Sequence, residues 1–358
     1  MDDLDRNVWC LLGLPFDAIT MNETIEKIHH SVRTREKCFI STPNLNFLIA
    51  SQKDNEFRDS VINSDLSVAD GKPIIWMARI LDIPLSERVA GSDIIERLIE
   101  NKEAHKPIKV FFFGGQEGIA EQACKKLNAQ DKGLHCAGFY SPGFGSVDEM
   151  STPEIIDTIN QSGADFVIVS LGAIKGQAWI QLNKDKLEAP VISHLGAVVN
   201  FVAGNVNRAP KLLQKLGMEW MWRIKEEPSL WRRYFYDGLA LLRLLMLRVI
   251  PYRLLLTANK NIKDKPTNIL VDNNTIKVSG IACKTCLNKI HSKLNETNIK
   301  SDAITIDLND VDYMDSAFLG FLLTLKGQQG IVKNIIIKSN SKFLNRILYY
   351  NGLESNVG

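Results

Sequence analysis

Apolar runs and helix-spaced segments alternate along most of this chain. Residues 8–12, 37–41, 66–69, 108–113, 134–138, 166–171 and 190–194 are short apolar runs that read as strands. Between them, residues 44–60, 72–81, 92–102, 116–128, 153–161 and 175–186 carry helical spacing. Asn22 to Arg35 does so with Ile25, Ile28 and Val32 on one face. Gly13-Leu14-Pro15 reads as a turn. The alternation predicts an α/β fold, a Rossmann-like and mostly parallel sheet with flanking helices.

The texture changes at Glu219. Aromatic, Arg and Leu residues dominate through Leu256, and a polar Asn- and Lys-rich stretch from Thr257 to Asn268 reads as a linker. A compact α/β pattern follows: a strand at 304–308, a turn at 311–316, a helix at 317–328, a strand at 335–337 and a helix at 342–350. The expected organisation is an α/β domain over 1–218, a basic amphipathic appendage over 219–256, a linker over 257–268 and a small α/β domain over 269–358.

A chain of 358 residues with 45% apolar content is long enough for two cores. The net charge of +2 is too small to imply a nucleic-acid partner, so any basic patch is local. One lies in the appendage. If 229–250 is helical, Arg232, Arg233, Asp237, Arg243 and Arg248 fall within about 160° of arc at roughly 100° per residue. Pro251 then ends or kinks the helix. A membrane-spanning reading fails on energy. Arg243, Arg248 and Arg253 would each cost about 2.5–3.5 kcal/mol at mid-membrane, against about 0.3–0.6 kcal/mol gained per large apolar residue. The helix either lies in the membrane interface or packs on its own domain or a second subunit. The six cysteines are scattered behind an acidic N-terminus with no apolar signal core, which predicts reduced thiols and a cytoplasmic site. Cys283-Lys284-Thr285-Cys286 is a lone pair and reads as incidental.

Candidate chemistry gathers after the strands. Asp70 follows an apolar run and precedes Gly71. A carboxylate so placed either is shielded from water, with its pKa raised toward that of a general base, or caps the next helix. Asn44 can bind a ligand or N-cap its helix. Arg88 can contact phosphate or sugar, or pair with Glu87 or Asp93. Gly114 and Gly115 close the Phe111-Phe112-Phe113 strand, where helix-start N–H groups can hold a phosphate or ribose edge; the plain alternative is a tight βα turn. The GxGxxG fingerprint is missing, which disfavours a nicotinamide oxidoreductase. His194 reads as a packed strand residue.

The order of three clusters resembles the WecG/TagA/CpsF glycosyltransferases: Ser41-Thr42-Pro43-Asn44, Val68-Ala69-Asp70-Gly71 and Glu87-Arg88-Val89-Ala90-Gly91-Ser92-Asp93. Gly204, Arg208-Ala209-Pro210 and Gly217-Met218-Glu219-Trp220 continue the likeness, which covers residues 8–236. It implies an inverting, cofactor-free enzyme that moves an N-acetylhexosamine, such as N-acetylmannosamine, from a UDP-sugar. The acceptor would be a polyprenyl-diphosphate-linked sugar at the inner face of the cell membrane, in surface polysaccharide synthesis. Asp70 would be the base. Thr42, Asn44, Arg88, Gly114, Gly115 and Gln177 would shape the donor site, and Arg223, Arg232 and Arg233 would clamp the leaving diphosphate. The Asp-x-Asp match Asp310-Val311-Asp312 lies in the C-terminal region, so a metal is not implied.

Departures from the family pattern are specific. In Gly172-Ala173-Ile174-Lys175-Gly176-Gln177-Ala178-Trp179, Ile174 stands for Pro, Gly176 for Gln and Gln177 for Glu. His194 stands for Val and Asn200 for Asp. An arginine is missing after Glu227-Pro228. These changes keep a second reading open, a catalytically impaired transferase fold that recruits partners. Asp315-Ser316-Ala317-Phe318-Leu319-Gly320 resembles the turn of STAS domains, which makes Ser316 either a phosphorylation candidate or a helix N-cap, and the module a protein-binding one.

Overall fold

The computed structural model describes residues 6–101, 106–130, 132–259, 266–272, 274–297, 303–327 and 334–353. Strands β1 (Val8–Leu11) and β2 (Leu14–Asp17) form an antiparallel hairpin. Its turn residues Leu12 and Gly13 have φ of 49° and 90°, the left-handed pair that a tight hairpin needs. The strand and turn read from sequence are therefore two strands. Helix α1 (Met21–Thr34) opens on a capping box between Thr20 and Glu23.

A parallel α/β layer follows: β3 (Cys38–Ser41), α2 (Leu45–Ser51), α3 (Asn55–Ile62), β4 (Leu66–Ser67), α4 (Lys72–Ile80), α5 (Gly91–Glu100), β5 (Ile108–Gly114), α6 (Ile119–Gln130), β6 (Leu134–Tyr140), α7 (Pro153–Gln161), β7 (Phe166–Ser170), α8 (Ala173–Asn183) and β8 (Val191–His194). The strands form one six-stranded sheet in the order β4-β3-β8-β7-β5-β6, every pairing parallel. Phe111, Phe112 and Phe113 are buried to opposite sides, as a sheet covered on both faces requires. Phe113 stacks on Trp179 of α8, ring centroids 4.1 Å apart. The expected helix over 44–60 is two helices, because Asp54 caps a new start by accepting from Phe57 N–H. Cys124 and Cys136, expected as thiols, are joined as a disulfide between α6 and β6, Cα atoms 5.1 Å apart.

Short helices α9 (Val198–Ala203), α10 (Lys211–Leu216) and α11 (Glu219–Glu226) lead into α12 (Trp231–Leu244), a π-helical turn over Leu245–Val249, and α13 (Ile250–Ala258). The expected break at Pro251 is instead a wider turn just before it. Pro251 then sits in the first turn of α13, where its missing N–H costs nothing. Helix α13 also occupies the start of the expected linker; residues 260–265 of that stretch lie outside the described residues. No helix among the described residues is long and apolar enough to cross a membrane.

A second sheet, in the order β12-β11-β10-β9, contains β9 (Asn268–Asp272), β10 (Thr275–Ala282), β11 (Ala303–Met314) and β12 (Asn334–Lys338), with α14 (Lys284–Thr297), α15 (Ser316–Gly327) and α16 (Lys342–Tyr350). Val311 to Met314, read as a turn, continue strand β11. This sheet region shares a hydrophobic core with the hairpin, α3, α4 and α13. Helix α15 lies directly on β1: a Cβ on Gly320 would stand 2.3 Å from the Val8 carbonyl oxygen. Arg58 of α3 reaches both the Gly13 carbonyl and, at 2.6 Å, the Gly352 carbonyl. The packing makes a direct test. Gly320→Val should lower stability by about 1–3 kcal/mol through overpacking against β1 backbone, read as a shift in the urea unfolding midpoint. An unshifted midpoint would rule out this docking of α15 on the hairpin.

Candidate active site

The three polar clusters meet at the carboxyl edge of the parallel sheet. Val68 N–H donates to Ser41 O at 2.9 Å, Asp70 N–H to Pro43 O at 3.0 Å, and Val89 N–H to Ala69 O at 2.8 Å. Backbone pairing thus continues past the ends of β3 and β4 and zips the clusters together. This is the edge where open α/β sheets hold ligands. Gly71, with φ of 106°, turns the chain into α4 and is itself the N-cap, so Asp70 does not cap that helix.

Asp70 retains partial exposure and has no hydrogen bond to its carboxyl among the described residues. Burial pushes its pKa up to about 7; the nearby Arg88 pulls it down, Glu219 and Asp93 push it up, and Arg223 pulls it down. Arg88 is held by two carboxylates. Its Nη2 donates to Asp93 Oδ2 and its Nη1 to Glu219 Oε1, both at 2.5 Å. The pairing foreseen with Asp93 forms; the one with Glu87 does not, because Glu87 instead accepts from the Met21 N–H at the start of α1. Burial opposes the Arg88 charge, but Asp93, Glu219 and Asp70 together raise its pKa. Arg208 extends the network to Asp93 and Glu96. Glu219 and Arg208 were visible in the sequence only as parts of quoted clusters; their ionic role needed the fold.

The other candidates separate. Thr42 is buried beside Asp70, and Asn44 N-caps α2, its Oδ1 accepting from Asn46 N–H at 3.0 Å and Phe47 N–H at 3.2 Å. Its side-chain amide N–H groups remain for a ligand. Gly114 and Gly115 both have positive φ at the end of β5, but Gly115 N–H is committed to Ser170 O at 2.9 Å, and the Gln116–Gly118 turn beyond it is exposed. Gln177, read as a substrate contact, is fully buried in α8; its Nε2 donates to Ser41 Oγ at 3.1 Å, so it supports the cleft floor from below. Arg223 comes near enough to Asp70 to favour its ionised form, with its guanidinium 5.2 Å from the Phe201 ring centroid. Arg232 and Arg233 instead stay on the exposed side of α12. Arg232 lies over Trp231, and Arg233 is 3.7 Å from Asp237.

Ser316 is also relocated. Asp315, not Ser316, caps α15 by accepting from Phe318 N–H at 2.9 Å. Ser316 is 4% exposed and borders a cavity of about 180 Å³ with Trp9, Leu81 and Tyr313. A kinase reaches its hydroxyl only if α15 lifts from the hairpin. The Asp-x-Asp pair lies in β11, where Asp310 is bound by Lys277 at 2.8 Å.

The family model for the glycosyl transferase WecG/TagA/CpsF family matches residues 9–254, more than half of the chain. The chain belongs to the WecG/TagA/CpsF glycosyltransferase family. It is a sugar-transferring enzyme. Among curated relatives, a Bacillus spizizenii protein named N-acetylglucosaminyldiphosphoundecaprenol N-acetyl-beta-D-mannosaminyltransferase is 27% identical over 195 residues, 54% of this chain and 74% of that protein. A Bacillus subtilis protein of the same name is 27% identical over 224 residues, 62% of this chain and 84% of its own length. A Staphylococcus aureus one is 24% identical over 215 residues, 60% and 82%.

Should Asp70 serve as the base, turnover rises with pH through about 7, because a base works ionised. Glu219 raises that value, so Glu219→Gln should move the acid limb to lower pH. A pH–rate profile of both proteins checks this; a limb that stays put would detach Glu219 from the Asp70 titration.

Proposed function

We propose that this glycosyltransferase moves an N-acetylhexosamine of the N-acetylmannosamine type from a UDP-sugar to a polyprenyl-diphosphate-linked N-acetylglucosamine. The observation that carries the reading is a single carboxyl, Asp70, poised near neutrality and free of hydrogen bonds beside Arg88 and Arg223. The relatives' printed names supply the sugar and the acceptor class.

In the proposed step, Asp70 takes the proton of the acceptor hydroxyl as its oxygen attacks the anomeric carbon of the donor. The bond from that carbon to the diphosphate oxygen breaks on the opposite face, and the configuration inverts. UDP leaves with the bonding electrons. Arg223, close enough to act on Asp70, would supply the cation that offsets the charge developing on the diphosphate. Arg88, saturated by Asp93 and Glu219, sets the field around Asp70. Arg232 and Arg233, on the exposed side of α12, stay outside this clamp.

The acceptor lipid calls for a membrane surface, and α12 offers one. Trp231, Phe235, Leu239, Leu242 and Met246 are spaced three or four residues apart and are all more than half exposed, at 53%, 63%, 57%, 56% and 59%. Exposed Arg232 and Arg243 flank that row. An apolar stripe with basic borders suits the interface of an anionic bilayer, on the inner face of the cell membrane. The C-terminal sheet with its buried Asp315-Ser316 turn fits a STAS-like protein-binding module.

Two experiments test these readings. With UDP-N-acetylmannosamine and a synthetic lipid-diphosphate N-acetylglucosamine, Asp70→Asn should lower transfer by about 10²–10⁴-fold while calorimetry still detects UDP binding. Unchanged turnover in that variant would overturn the base assignment. In sedimentation with vesicles, the protein should pellet with phosphatidylglycerol and far less with phosphatidylcholine, and Phe235→Glu with Leu239→Glu should release it. Equal recovery of that double variant with anionic vesicles would exclude α12 as the docking face.

A further inference from the structure

His194 ends β8, in the middle of the parallel sheet. It stands beside Ser41 of β3 and opposite Val169 of β7, in the row of strand ends that carries Thr42 and Asp70. Its ring is fixed from several sides. Nε2 lies 2.7 Å from the Leu171 carbonyl oxygen, and the ring centroid is 5.9 Å from that of Phe47, in the helix that Asn44 caps. Gly176 and Gly196 border it closely. A Cβ on Gly176 would stand 2.2 Å from His194 Cδ2, so the ring fills the space that any side chain at 176 would enter. The two departures from the family pattern at 176 and 194 are thus one interlocked pair.

The hydrogen bond to Leu171 fixes the tautomer. A carbonyl only accepts, so Nε2 carries the hydrogen and Nδ1 the lone pair. Burial lowers the pKa of this imidazole, which keeps it neutral. The residue is 7% exposed, and Nδ1 makes no hydrogen bond among the described residues. Ser170 Oγ at the end of β7 and Gln177 Oε1 under Ser41 also lack partners among the described residues, but both are sealed. Buried polar groups normally find partners, so the unpartnered His194 Nδ1 at a ligand-holding edge points to a polar ligand.

We propose that His194 is a positioning residue for the sugar nucleotide, with Nδ1 accepting a hydrogen bond from a hydroxyl or amide N–H of the donor. The proposal rests on the transferase reading above. Gly176 is the complementary half of the device, because its missing side chain is what admits the imidazole. The residue fixes the donor's orientation and takes no proton in the reaction.

The test is steady-state kinetics with UDP-N-acetylmannosamine and the lipid-diphosphate acceptor, alongside thermal unfolding. His194→Phe keeps a ring against Phe47 but removes the acceptor; donor KM should rise about 5–15-fold with kcat little changed. His194→Asn returns an acceptor oxygen near the Nδ1 position and should recover most of that loss. Gly176→Ala should raise donor KM in the wild-type background by displacing the ring, and should add nothing in a His194→Ala background. A purely packing role would instead lower the unfolding temperature and leave donor KM alone, which overturns the proposal. Unchanged KM in His194→Phe with an active wild type sinks this inference alone. A wild-type protein inert toward the donor, in the presence of acceptor, sinks the transferase reading and this one with it.

Discussion

The Arg88–Glu219 ion pair is the constraint on which the site depends. Arg88 leaves the loop after α4, at the sheet edge, whereas Glu219 begins α11, more than a hundred residues later. Their contact carries the start of the appendage onto the strand ends. Arg88 is 12% exposed on its side chain, so it cannot shed its charge into water if a partner is lost. Glu219 is itself 32% exposed and Arg88 keeps Asp93 as a second partner, so losing Glu219 costs less than breaking a fully buried pair would. Arg208, joined to Asp93 and Glu96, repeats the tie from the segment before α10. With both ties in place, Arg223 lies one helical turn beyond Glu219, close enough to act on Asp70.

This network also explains why a carboxylate between arginines is not simply acidic. Arg88 gives much of its field to Asp93 and Glu219, and those two carboxylates push back on Asp70. Desolvation then dominates, and the value settles near 7. Four charged groups bring a carboxyl to the range in which it can both take and release a proton at neutral pH.

Strand positions and most helices were legible because a doubly covered parallel sheet writes continuous apolar runs, and βα units separate them with helical spacing. What escaped was punctuation set by single side chains. Asp54 starts a new helix within a polar stretch that a single longer helix could also have carried, and Pro251 is accommodated by a wider π turn. The hairpin of β1 and β2 was hidden because Pro15 looked like a turn residue, although its partner Cys10 sits across a strand pair. In the site, Asp70 and Arg88 could be read from the residues after the strands. The role of Gln177 could not, since its burial depends on how α8 meets β3. The contact between Gly176 and His194 links α8 to β8 and is invisible to any local pattern.

The appendage is pinned at both ends. Near its start, Glu219 holds Arg88; toward its end, Arg248 donates to the Tyr349 carbonyl at 2.5 Å and Arg253 pairs with Asp82. Arg248, which sequence placed on the outward basic face, therefore serves the last carbonyls of α16, where a helix terminus favours a cation. Between the anchors, Asp237 meets Asn46 of α2, two residues after the Asn44 cap. A helix fixed at three points cannot swing freely, so its exposed Trp231-to-Met246 row keeps one orientation relative to Asp70. Were that row to lie on a bilayer, it would set the height and tilt of the cleft.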